Sequence, residues 1–151
     1  VVNATYVNAY AFPGGTIACT RGILLSLENE AELAALLGHE LGHVNARHTA
    51  EQMSKGMLTQ TVVGGLSAVA GAAGAGYGSL ASQLGQIGAV ALLARYSRDN
   101  ERQAYALGME YIVKSGYSSE GMVGLIEMLK SLGKHKPRAL ELMFATHPMS
   151  A

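Results

Sequence analysis

A chain of 151 residues with 49% apolar side chains fits one domain and has enough apolar content for a sizeable core. Its 11 basic residues balance 11 acidic ones, and a net charge of zero argues against nucleic acid as a main partner. The single Cys19 cannot close an internal disulfide, says nothing about redox compartment, and reads as a small buried hydrophobe. No signal peptide opens the chain, which begins at Val1 and reads as a piece of a longer precursor, so location is not legible from its ends.

Residues 1–12 are rich in Val, Tyr and Asn with partial alternation, a strand signature. Pro13-Gly14-Gly15 is a turn, and Thr16-Ile17-Ala18-Cys19 reads as the returning strand. This hairpin is expected to lead directly into the next helix. Within it, Asn8-Ala9-Tyr10-Ala11 is the candidate edge for holding an extended peptide through main-chain hydrogen bonds, which are largely indifferent to side-chain identity. An ordinary structural hairpin is the competing reading.

A helix is predicted to start at Asn29, a good N-cap, with Glu32 completing a capping-box-like pair and Glu30 and Glu32 suiting the positive helix start. At about 100° per residue, Leu33, Leu36, Leu37, Leu41 and Val44 fall on one apolar arc. On that helix lies His39-Glu40-Leu41-Gly42-His43, an H-E-x-x-H sequence. Helix residues four apart share a face with Cβ atoms roughly 5–6 Å apart. Both imidazoles can then reach one ion, and nitrogen ligands at about 2.0–2.1 Å suit Zn²⁺. Glu40, beside the first ligand, is placed to take a proton from a metal-bound water. His43 borders the apolar arc beside Leu36, with His39 slightly further round, so a metal is expected to be walled on one flank and open on the other. Two unrelated helix histidines with a chance Glu between them would not account for the agreement of cap, apolar arc and motif.

From Gly56 to Ala94 no charged residue occurs, and Gly and Ala crowd the stretch. Gln60, Ser67, Ser79, Ser82, Gln83 and Gln86 interrupt it, against a simple membrane span. A pair of small-residue helices broken near 74–78, packing closely or covering the site, is the preferred reading of this insert. A mobile lid or a membrane-touching hairpin is the alternative, since small residues also permit close helix contact in lipid.

Charge returns at Arg95, and a further helix is expected through residue 113. On it Glu101, Ala104, Tyr105, Gly108 and Ile112 share a face, while Glu110 lies opposite and reads as solvated. Gly108 would let this helix approach the first closely. A catalytic zinc usually takes three protein ligands and leaves a position for water. Glu101 is the choice for the third, with a surface carboxylate equally open on position alone. Ser118-Ser119-Glu120 begins another helix, with Met122, Val123, Leu125, Ile126, Leu129 and Leu132 apolar and Gly133 near its end, which reads as scaffold. His135 reads as an exposed loop residue, and His48 as a structural hydrogen-bonding histidine.

Taken together, the H-E-x-x-H motif with Asn29-Glu30-Ala31-Glu32-Leu33 before it, Asn8-Ala9-Tyr10-Ala11-Phe12-Pro13-Gly14-Gly15 upstream and Ser97-Arg98-Asp99-Asn100-Glu101 downstream resembles the peptidase family of the CAAX prenyl endopeptidase, HtpX and BepA. The likeness is closest to its soluble, envelope-associated bacterial members and covers nearly the whole chain. It implies a gluzincin: an α+β, mainly helical catalytic domain spanning 1–151, with a small sheet or hairpin beside the motif helix. It implies one Zn²⁺ held by His39, His43 and Glu101, with Glu40 as general base. It also implies polypeptide substrates, among them unfolded or misassembled envelope proteins, and a periplasmic or membrane-associated location. Thr146-His147-Pro148 resembles a family segment whose histidine can approach the zinc, so His147 either blocks the fourth position reversibly or donates to the transition state; a structural loop histidine is the alternative.

One departure stands out. The family motif after the Glu usually runs Glu-x-x-Ala-Asp, whereas here it runs Glu101-Arg102-Gln103-Ala104-Tyr105. The Asp would orient a zinc-binding histidine by a hydrogen bond. Tyr105 offers a hydroxyl without a negative charge near neutral pH, or packs as an aromatic. Metal binding is expected to survive with weaker ligand orientation. A metal-binding scaffold or chaperone-like module with weak or latent proteolysis is the alternative to an active enzyme.

Overall fold

The structure, a computed structural model, describes residues 1–56 and 96–148. The uncharged insert expected over 56–94, with its lid and membrane-contact readings, lies outside these residues apart from Gly56, which is helical within 48–56. Among the described residues no helix is long and apolar enough to cross a membrane.

A two-stranded antiparallel sheet pairs β1 (Ala9–Ala11) with β2 (Ile17–Cys19) in the register Ala9↔Cys19, Tyr10↔Ala18 and Ala11↔Ile17. Phe12 N–H donates to Thr16 O at 2.8 Å across the turn, where Gly14 and Gly15 adopt φ 94° and 95°, a region that glycine enters without a Cβ clash. The strand expected over 1–12 is therefore much shorter. Val2 instead forms an isolated parallel bridge with Thr20, donating to Cys19 O, whose carbonyl faces away from β1. Reaching the far side of β2 forces the chain to bend between Val2 and Ala9, and that bend ends regular pairing. Nor does the hairpin lead straight into the motif helix: α1 (Arg21–Leu24) intervenes, capped by the Thr20 hydroxyl, which accepts from Ile23 N–H.

The motif helix is α2 (Glu30–Asn45). Asn29 Oδ1 accepts from Glu32 N–H at 3.0 Å as expected, while the Glu32 carboxylate reaches back past the cap to Glu28 N–H at 2.8 Å. The buried stripe differs from the expected apolar arc. Glu32, Ala35, Leu36, His39, Glu40 and His43 are buried, whereas Leu37 and Leu41 are 37% and 38% exposed. The functional polar groups themselves form the inward face, so an apolar count centres the stripe on the wrong side. His43 and His39 are only 0% and 3% exposed, so both candidate ligands are themselves buried.

Next comes α3 (Arg98–Lys114), opened by a capping box in which Ser97 and Asn100 exchange hydrogen bonds. Its inward face is Glu101, Ala104, Gly108 and Ile112, and Glu110 is solvated in an ion pair with Lys114. α4 (Glu120–His135) buries Met122, Leu125 and Leu129 but leaves Val123 exposed. His135 is its last residue rather than a loop residue, with Nδ1 2.8 Å from Ser131 O. A 3-10 turn (Pro137–Ala139) and α5 (Glu141–Thr146) follow. Ile23, Leu36, Ile112, Met122, Leu125 and Leu129 belong to one apolar cluster that ties α1, α2, α3 and α4 together.

The main contact that builds the site is α2 against α3, and it is a backbone contact. A Cβ on Gly42 would lie 2.7 Å from Ala104 O, and one on Gly108 would lie 2.9 Å from His39 N. Only hydrogen at both positions lets the two helices approach this closely, as the sequence anticipates for Gly108. That approach delivers Glu101, three residues before Ala104, to the two motif histidines.

Candidate metal centre

Three ligand candidates converge from two helices. His39 Nε2 and His43 Nε2 lie 3.1 Å apart. Glu101 Oε2 is 3.3 Å from His39 Nε2, and Glu101 Oε1 is 3.3 Å from His43 Nε2. Two ligand atoms on a tetrahedral ion with bonds of ~2.0–2.1 Å sit about 3.3 Å from each other. The donor atoms thus already have the mutual spacing that a zinc ion imposes. His147 joins them with Nδ1 3.0 Å from Glu101 Oε1, and single ligand atoms of His39, His43, Glu101 and His147 all fall within 4.8 Å of one another. All four side chains are buried. A nitrogen and carboxylate set of this kind suits Zn²⁺.

Glu40 faces the same space. It is fully buried, and neither of its carboxylate oxygens has a hydrogen-bond partner among the described residues. His147 Nε2 stands 3.9 Å from Glu40 Oε1. Burial pushes the Glu40 carboxyl above its usual range, against the pull of His147 and His39. Burial would do the same to Glu101, but the His147, His39 and His43 imidazoles gathered around it overcome that effect and hold the carboxyl well below the usual range. His43 is depressed to about 3 by desolvation, which favours the neutral imidazole that metals bind. His147 moves the other way: burial opposes its charge, yet the Glu40 and Glu101 carboxylates raise its pKa.

Around the ligands lies a layer the sequence did not reveal. Tyr96 stacks on His43 with ring centroids 3.8 Å apart and planes at 21°. Its hydroxyl lies 2.7 Å from Thr49 Oγ1, which donates its own hydrogen to Ala11 O at 2.7 Å. His48 Nδ1 lies 3.0 Å from His43 Nδ1, and His48 Nε2 lies 3.0 Å from Gln103 Oε1. His48 was expected to hydrogen-bond structurally; its partner is a candidate ligand. On a straight helix His48 would point away from His43, but Arg47 at φ 58° turns the chain between α2 and the helical stretch 48–56. No periodicity argument anticipates that turn.

Tyr105 packs its ring against His39, with centroids 4.3 Å apart. Burial, with Glu101 and Glu40 nearby, raises its phenol and keeps it neutral. His39 Nδ1 is buried with no hydrogen-bond partner among the described residues. The atom that lacks an orienting acceptor is thus on the histidine that Tyr105 touches. Tyr105→Asp is expected to tighten zinc binding by about 10-fold or more, the scale on which such orienting partners act. Chelator competition measures it, and unchanged affinity would mean His39 is oriented without a carboxylate.

The proposed substrate edge is mostly engaged by the chain's own groups. Thr20 N–H donates to Asn8 O, and Phe12 N–H donates to Thr16 O, so by antiparallel alternation Tyr10 pairs with β2. The main-chain groups of Ala9 and Ala11 therefore face outward. Ala9 N–H donates to Asn8 Oδ1, His147 lies beside the Ala9 backbone, and Ala11 O accepts from Thr49. Asn8 is itself fully buried, with Nδ2 unpartnered among the described residues.

Comparison with known proteins agrees with this geometry. The family description "Peptidase family M48" matches residues 1–151. The chain is 35% identical to metalloprotease YcaL of Escherichia coli (strain K12) over 144 residues, covering 95% of this chain and 54% of that protein. It is 29% identical to the beta-barrel assembly-enhancing protease of Yersinia pestis, covering 99% of this chain and 31% of the relative. With the mitochondrial metalloendopeptidase OMA1 of Arabidopsis thaliana it shares 31% identity over 98% of this chain and 28% of the relative. The chain therefore spans about half or less of these curated relatives. A full-length family match, over a mainly helical chain with a small antiparallel sheet and a buried His-His-Glu cluster, makes this chain a member of peptidase family M48.

Proposed function

We propose that residues 1–151 form the catalytic domain of a zinc-dependent endopeptidase. The observation that carries this reading is the His39, His43 and Glu101 cluster, with donor atoms 3.1–3.3 Å apart and the unpartnered Glu40 carboxylate facing it. His39, His43 and Glu101 would hold one zinc ion. Bound there, zinc supplies Lewis acidity and lowers the pKa of water toward about 7. Glu40 takes the proton of the attacking water and passes it to the leaving amine. Buried surroundings strengthen these charge interactions by excluding bulk water. The scaffold reading with weak or latent proteolysis has less support, since every element of the catalytic set is present.

Substrates are extended polypeptides laid along the edge formed by residues 8–11, where Ala9 and Ala11 turn their main-chain groups outward and can receive any sequence. Binding there requires His147 to move away from the Ala9 backbone and Thr49 to leave Ala11 O. His147 also belongs to the ligand cluster, so one side chain guards both the open coordination position and the peptide edge. We read the observed arrangement as the blocked one, in which Tyr105 packs and takes no part in the reaction. The proposed substrates are unfolded or misassembled envelope proteins and the proposed location is the cell envelope, a reading supported by relatives named for beta-barrel assembly.

Digestion of casein by the purified chain, with chelator and then with zinc restored, tests the reading. Expected are loss of cleavage with chelator, recovery with zinc, and faster cleavage by His147→Ala. Chelator-resistant cleavage would end the metal assignment, and slower cleavage by His147→Ala would make that residue a transition-state donor instead of a block.

A further inference from the structure

We infer that His48 and Gln103 are positioning residues that hold His43 in its metal-binding tautomer and ring orientation. The inference rests on the metal reading above and adds two residues to it. The chain of contacts is short and buried at its centre: His43 Nδ1 to His48 Nδ1 at 3.0 Å, then His48 Nε2 to Gln103 Oε1 at 3.0 Å. His43 and His48 are 0% and 2% exposed.

The direction of the hydrogen bonds follows from the ends. An imidazole that gives its Nε2 lone pair to a metal keeps its hydrogen on Nδ1. His43 Nδ1–H therefore donates, and His48 Nδ1 accepts. An accepting Nδ1 leaves the His48 hydrogen on Nε2, where it needs an acceptor. Gln103 presents its carbonyl oxygen, not its amide nitrogen, at that point. Both ends of the chain thus specify one arrangement, with the metal-facing nitrogen of His43 free of hydrogen.

The two ligand histidines are treated differently. His39 Nδ1 has no partner among the described residues and packs beside Tyr105, while His43 Nδ1 is anchored through two side chains to α3. The same helix supplies Glu101 to the cluster and, two residues on, Gln103 to the relay. Stacking by Tyr96 restrains the His43 ring plane, but only the hydrogen bond selects its tautomer.

Zinc affinity by chelator competition, the visible absorption of the cobalt(II)-loaded chain and thermal unfolding of the metal-free chain, measured on the wild type and variants, test this. Gln103 is exposed, so Gln103→Leu is expected to fold normally. Gln103→Leu and His48→Ala should weaken zinc about 10- to 100-fold and alter the cobalt absorption. Gln103→Glu, which keeps the acceptor, should retain wild-type affinity. Gln103→Leu with wild-type zinc affinity and an unchanged cobalt spectrum would overturn the inference. So would variants that only lower the metal-free unfolding temperature. A wild-type chain that binds no zinc would overturn the metal reading itself, a separate result.

Discussion

Glu40→Gln lowers kcat for peptide hydrolysis by at least about 10²–10⁴-fold, the scale of a lost general base, while zinc content stays at the wild-type level. The two halves of this expectation have separate causes. Glutamine keeps the size and shape of the side chain in a fully buried position but cannot accept the proton of a water. The groups that would hold the metal are His39, His43 and Glu101, and Glu40 is not in the ligand cluster. Steady-state hydrolysis of a quenched peptide, paired with metal analysis of the same preparations, measures both. Retained hydrolysis would remove Glu40 from the mechanism. Lost zinc would show that it supports the metal as well.

Gly42→Val separates α2 from α3 and removes the metal site without touching a ligand. A Cβ at residue 42 meets Ala104 O at 2.7 Å and Ala104 Cα at 2.9 Å, both backbone atoms that cannot rotate away. The helices must part, at a cost of about 1–3 kcal/mol for an overpacked contact. Glu101 sits less than one turn from Ala104, so it retreats from the histidines it now approaches at 3.3 Å. Zinc affinity is expected to fall 10-fold or more, by at least about 1.4 kcal/mol per tenfold. Gly42→Ala should show a smaller loss in the same direction. Urea unfolding of the metal-free chain and chelator competition give the two numbers. Wild-type values for both in Gly42→Val would show that close helix contact is not what assembles the site.

Several elements were legible in residue order alone. The Asn29 cap, the H-E-x-x-H spacing, the inward face of α3 from Glu101 to Ile112 and the turn at Pro13-Gly14-Gly15 all follow from local rules, and the structure places them accordingly. Local rules failed where distant segments compete for the same surface. Leu37 and Leu41 were assigned to the buried arc, yet the inward face of α2 is filled by Glu32, His39, Glu40 and His43, whose burial depends on what α3 and α4 bring to them. Residues 1–8 read as strand from composition, but Val2 is drawn to the far side of β2.

By itself, the sequence determined which chemistry is available: two imidazoles one helical turn apart, a carboxylate between them, and a downstream glutamate on a face shared with a glycine. Those facts depend on spacing along a helix, which covalent geometry fixes. The tertiary structure decided how the second layer meets the first. Arg47 in a left-handed conformation turns His48 back onto His43, Gln103 closes that relay from another helix, and His147 reaches the cluster from the end of α5. Such contacts join residues 46 to 108 positions apart, or cross a backbone reversal, and their energies depend on burial and geometry that no local pattern encodes.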